Sequence, residues 1–188
     1  MLGTIGLLSH LVAAIAFAAL GLALALKRAP SGIRLAVALA AIITAAWAGG
    51  HVLAAAYGAP DAAWLSRAET FRTAAWIAVL ILLQRRSLGL TDRPSQSFAL
   101  AVGLGFLIAL QLALDLISPV APNIPLAEQP PGALLFVITR LVLAVSGLVL
   151  LHNLYVSSGN AGGVSVRLLA VGLGVLFAYD LNLYTLHF

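Results

Sequence analysis

Apolar residues fill this chain in long runs, and short polar clusters interrupt them. The interruptions read KRAPSG, YGAPDA, QRRSLGLTDRPSQS, SPVAPNIPLAEQPPG and SSGNAGG. Each holds Pro, Gly or Ser, the residues that end helices and make turns. Between them lie six apolar segments, at 2–26, 33–57, 62–84, 96–118, 132–155 and 164–187. A helix needs about 20 such residues to cross a hydrocarbon core, whereas a barrel strand alternates over about 10. The pattern predicts an all-α, polytopic membrane helical bundle: one domain over 1–188 with six transmembrane helices. The fourth interruption is the longest and holds Pro119, Pro122, Pro125, Pro130 and Pro131. It reads as an extended external loop.

Composition sharpens the class. The 188 residues are 62% hydrophobic and 9% charged, against about 25% charged in a soluble domain. Mean hydropathy is +1.08. The lipid bilayer is therefore the first expected partner. The net charge of +4 does not point to nucleic acid, because the cations lie in short loops and read as topology signals. One set of loops and span ends holds Lys27, Arg28, Arg34, Arg85, Arg86, Arg93 and Arg167 against the single acid Asp92; the opposite set holds Asp61 and Glu128. The positive-inside rule assigns the first set to the cytoplasm, so the N-terminus and Phe188 are both expected outside. Met1 to Leu26 is too long for a signal peptide, and its charges follow the apolar run instead of preceding it. With no cysteine, disulfides, thiolate metal sites and catalytic thiols are excluded.

Ionisable groups within a span cost about 2.5–3.5 kcal/mol each at its centre on insertion scales. Here they are His10, His51, Arg67, Glu69, Arg72, Asp115, Arg140 and Asp180. Counted by depth, all eight fall in the outer half of their spans. Three arginines meet three acids there, so pairing makes the layer nearly neutral. Glu69 and Arg72 are spaced i,i+3 on one helix, and Arg72 and Trp76 i,i+4. Asp180 is expected to meet Arg72 or Arg140. Two readings stand side by side: structural ion pairs that fix helix packing, or an outward-facing pocket for a ligand, a lipid head group or a proton.

The remaining candidates carry less chemistry. Trp47, Trp64 and Trp76 read as a cage or as interfacial anchors, and Trp64 suits the second role. His152 reads as an end-of-helix cation. His10 and His51 read as a pH-responsive pair or as two ligands of a metal; they lack a third ligand, so no metal site is assigned. Gly103/Gly105 in AVGLGFL and Gly172/Gly174 in AVGLGVL are expected to allow close helix contact. They follow no strand and do not read as a nucleotide loop. No hydrolase, metalloprotease or P-loop motif is present, and no lysine lies within a span to hold retinal. This segment therefore has no assigned catalytic residue and no cofactor.

The last stretch, LHNLYVSSGNAGGVSVRLLAVGLGVLFAYDLNLYTLHF at 151–188, resembles the membrane region of PEP-CTERM/exosortase-associated sensor histidine kinases of the PrsK type. The matching residues are Asn153, Leu154, Tyr155, Arg167, Gly172, Gly174, Phe177, Tyr179, Asp180, Leu183 and Tyr184. Two further similar stretches are TAAWA at 44–48 and FRTAAWIAVLILL at 71–83. His152 departs from the family, which tends to have an acid there, as does the lack of an Arg-Asn pair after Tyr155. The resemblance implies a multi-span sensor domain in the bacterial inner membrane, followed by a cytoplasmic GAF-like domain and a kinase core. It also implies a homodimer, and a response regulator engaged through the kinase domain. The apolar end at Phe188 is then expected to be a truncation, because a kinase core requires at least one further span. The rival expectations are a small transporter or channel, and a membrane scaffold binding its partner through Ala/Gly-rich helix faces. An apolar cytoplasmic half argues against a transport path.

Overall fold

The computed structural model describes residues 4–27, 31–59, 63–87, 94–117, 128–129, 131–157 and 163–186. These form six helices in chain order: α1 (Thr4–Ala25), α2 (Gly32–Ala56), α3 (Ala63–Ser87), α4 (Pro94–Ile117), α5 (Ala133–Ser157) and α6 (Gly163–Thr185). Their ends lie close to the sequence expectation. The largest difference is at the end of α3, expected at 84 and found at Ser87. The long proline-bearing loop, apart from Glu128, Gln129, Pro131 and Gly132, falls outside the described residues, as do Arg28, Asp61, Asp92, Arg93 and Phe188.

Among the described residues, five helices are long and apolar enough to cross a membrane: Thr4–Ala25, Gly32–Ala56, Phe98–Ile117, Ala133–Ser157 and Arg167–Thr185. The sixth, α3, is as long but holds Arg67, Glu69, Arg72, Gln84, Arg85 and Arg86. The cause is charge, not length. The chain is thus an all-helical membrane protein with five plain candidate spans and one charged helix of spanning length.

Local signals set the helix ends. Ser31 caps α2, its Oγ accepting the Arg34 N–H at 3.3 Å. At the other end Gly58 takes φ +70°, and the chain turns through Gly58 N–H to Ala55 O and Ala59 N–H to Ala54 O. That paired closure requires a left-handed residue, which glycine adopts without strain. Arg85 and Arg86 close the last turn of α3, where cations complement the helix dipole. Hydroxyls inside the spans bond back one turn, as in Thr44 to Ala40 O at 2.8 Å and Thr139 to Leu135 O at 2.7 Å.

The chain divides into two compact units, Met1–Val79 and Leu80–Phe188. In the first, α1 packs along α2. Its core is alanine-rich: Ala38, Ala40, Ala41, Ala48 and Ala54 are buried. Lipid tails are as apolar as the helices, so close van der Waals approach drives association, and small residues permit it. Gly21 is the tight point, since a Cβ there would stand 2.7 Å from Ile42 Cγ1 and 3.1 Å from Ala38 O. In the second unit α5 packs against both α4 and α6. Its core is bulkier, with Phe136, Val137, Leu143, Leu150, Leu151, Leu154 and Phe177 buried. Gly147 receives the Phe177 ring, and a Cβ would meet it at 2.5 Å.

The expected close contacts at Gly103, Gly105, Gly172 and Gly174 are not found. A Cβ at any of the four would meet nothing within 4 Å. Close approach falls instead on Gly21, Gly50 and Gly147, where a bulky neighbour faces the missing side chain. The repeated AVGLG segments share a sequence but place no glycine in a helix contact.

Candidate functional site

The polar residues within the spans form two clusters, one in each unit. In Met1–Val79, α1 supplies His10, α2 supplies Trp47 and His51 one turn apart, and α3 supplies Glu69 and Arg72. The His10 and His51 rings are 4.7 Å apart at their centroids; Trp47 lies 5.5 Å from His10 and 4.9 Å from His51, edge-on to the latter. The Arg72 guanidinium lies over the Trp47 ring, 4.1 Å from its centroid. Its Nη2 is 3.8 Å from Glu69 Oε1, the ion pair that the i,i+3 spacing suggests. A ring face attracts a cation, by about 2 kcal/mol or more where both are desolvated.

The three tryptophans do not share one cage. Trp47 belongs to the histidine cluster. Trp76 is buried, donates Nε1–H to Thr44 Oγ1 at 2.9 Å, and stands 6.3 Å from Phe17. Trp64 is half exposed and lies against Gly50. The ring beneath Arg72 is Trp47 on α2, a partner that spacing along α3 has no means of naming. Trp47 Nε1 is buried with no hydrogen-bond partner among the described residues, and the same holds for Nε of the partly buried Arg67.

In Leu80–Phe188 the cluster is tighter. Arg140 on α5 donates Nη2–H to Asp115 Oδ1 on α4 at 3.0 Å, and Nη1–H to Tyr184 Oη on α6 at 3.2 Å. One guanidinium thus ties three helices. Gln111, one turn before Asp115, donates Nε2–H to the same Oδ1 at 3.1 Å. The Phe136 and Tyr184 rings flank the guanidinium carbon at 5.2 Å and 5.6 Å. Asp180 is buried one turn before Tyr184 on α6. Gln111, Asp115, Arg140, Asp180 and Tyr184 are all buried.

Gln111 and the pairing of Asp115 with Arg140 were not legible in the sequence. The available signal was Gln111 at i,i+4 from Asp115 inside an apolar run, the spacing of a helix-face hydrogen bond. Of the residues carrying the family resemblance, Leu154, Asp180 and Tyr184 are buried, whereas Asn153, Tyr155 and Tyr179 are exposed. His152 is exposed near the end of α5. Among the described residues no three His, Cys, Asp or Glu side chains gather as a metal site.

No family model matches the chain, and neither a curated protein nor a solved structure matches it. The chemistry must therefore be read from the clusters. Neither contains a nucleophile beside a base. Both contain what changes helix packing when charge changes: ionised side chains held in apolar surroundings by partners on other helices.

Proposed function

We propose that this chain is the membrane-embedded input module of a sensor histidine kinase of the PEP-CTERM/exosortase-associated type. It crosses the bacterial inner membrane six times with its N-terminus outside, works as a homodimer, and signals to a response regulator through a kinase core. The observation that carries the reading is Tyr184. This residue belongs to the stretch that resembles the family, and its hydroxyl accepts from Arg140 inside a three-helix polar cluster. The resemblance thus falls on a residue built into polar machinery of the membrane domain.

A sixth span is physically reasonable. At about 1.5 Å per residue, the 25 residues of α3 reach across a hydrocarbon core of about 30 Å. Arg72 is buried and paired, so it need not meet lipid. An envelope signal would bias two packings of the bundle by changing charge or pairing in a cluster, and a few kcal/mol of difference would shift the populations strongly. The test is to read the gene beyond the codon for Phe188. A frame running through a further span into a GAF-like domain, a phosphoacceptor histidine and an ATPase supports the proposal. A stop codon at that point ends the kinase reading and returns transport and scaffolding to the front, to be separated by a liposome flux assay.

A further inference from the structure

Gly6 contributes a backbone carbonyl, which can only accept a hydrogen bond, and His10 Nδ1 lies 2.8 Å from it. Nδ1 must therefore carry the proton, and the lone pair of neutral His10 sits on Nε2. The ring is held by its own helix and presented to α2, where His51 waits at 4.7 Å. We propose that the His10–His51 pair is a proton-operated latch between α1 and α2, and that the signal read by this domain is acidification at the end of the hairpin where α1 begins. The word signal rests on the sensor reading above; the latch itself does not.

Several observations converge on it. The ionisable groups acting on His51 are His10 from α1 and Glu69 and Arg72 from α3. With both imidazoles neutral, one cation and one carboxylate remain, 3.8 Å apart. With both protonated, three cations face that one carboxylate. Two of the three lie on different helices in ring contact, so their repulsion acts across the α1–α2 seam. Imidazole is the side chain whose ordinary range makes this change between about pH 5 and 8. Both rings are only partly buried within the unit.

The hairpin is built to respond at one end. Among the described residues of α1 only Gly21 is buried, so little beyond the α2 seam holds this helix. Gly21 is a point of close approach in the seam and lies about 16 Å along the helix from His10, at about 1.5 Å per residue. Repulsion at His10 therefore acts on a long arm, with the Gly21–Ala38 contact as its pivot.

The chain contains no cysteine, so paired spin labels can be placed at will. Leu8→Cys with Leu53→Cys reports on the histidine end, and Leu22→Cys with Leu35→Cys on the far side of Gly21; all four positions are exposed. Distances are measured on the whole chain in lipid nanodiscs at about pH 7.5 and about pH 5, on either side of the imidazole range. The 8–53 distance should lengthen on acidification by on the order of 1–2 Å or more, the scale of helix shifts in switching proteins. The 22–35 distance should stay fixed. The lengthening should vanish in His10→Gln/His51→Gln, with helical content by circular dichroism equal to the parent. An unchanged 8–53 distance in the parent chain overturns the proposal. So does equal lengthening in the double variant, which would move the titration to Glu69. Because the experiment needs no kinase domain, a positive result with no kinase encoded downstream removes only the sensor reading.

Discussion

Arg72 and Arg140 are both buried arginines on helices of spanning length, one in each unit. Arg140 donates to a carboxylate at 3.0 Å and to a phenol at 3.2 Å, each on a different helix. Arg72 lies over an indole at 4.1 Å and stands 3.8 Å from a carboxylate on its own helix. The first arrangement includes directional bonds to two other helices, and the second includes a ring face, which attracts a cation over a broad area. Burial differs most between α5 and α1. Half of the α5 span is buried, in a core of leucines and phenylalanines, against 6% of α1. The Arg140 cluster around α5 reads as a frame, and α1 as an adjustable element.

The comparison breaks most easily at Arg140. Removing one member of a buried pair leaves the other charge uncompensated, at about 3–5 kcal/mol. Arg140→Leu or Asp115→Asn should lower the thermal midpoint in detergent sharply, and Arg140→Leu/Asp115→Leu should recover much of the loss. If the single variants melt like the parent, the pair is no frame.

Overpacking comes next, at about 1–3 kcal/mol. Gly147→Ala should cost stability because the Phe177 ring blocks the new methyl, and Gly21→Ala because Ala38 O, a backbone atom, is in the way. Melting curves of the two variants compare the seams directly. Replacing Trp47 with leucine should cost less, about 0.5–2 kcal/mol, as a cation–π contact is lost while Glu69 remains. It should also remove most of the fluorescence change on acidification, since this indole lies beside both histidines. The smallest effect belongs to Gly103→Ala and Gly172→Ala. Both sites are open, so the change should be neutral or stabilising by up to about 1 kcal/mol through helix propensity. A strong loss at either would show a helix contact beyond the single chain.

Helix number and boundaries were legible because apolar runs and Pro/Gly/Ser breaks are local signals. The Glu69–Arg72 pair was legible for the same reason: both residues lie on one helix, at a spacing that brings them together. Contacts between helices were not. Arg140 with Asp115, Arg72 with Trp47 and Trp76 with Thr44 depend on how each helix is rotated about its axis. A nearly uniform apolar surface does not fix that rotation in the sequence. The glycines show the same limit. AVGLG looks like a contact motif, yet packing uses Gly21, Gly50 and Gly147, which differ from it only in what faces them.

If charge in these clusters controls a kinase, as proposed above, phosphoryl transfer must follow that charge. Membranes containing the product of the whole reading frame would be given labelled ATP at neutral and acid pH, as the parent protein and as Arg72→Gln and Asp180→Asn. The account expects the parent to label itself to different extents at the two pH values. It expects both neutralised variants to remain in the membrane at parental levels with output that no longer follows pH. Absence of any labelling in the parent, or variants that respond as the parent does, would contradict it.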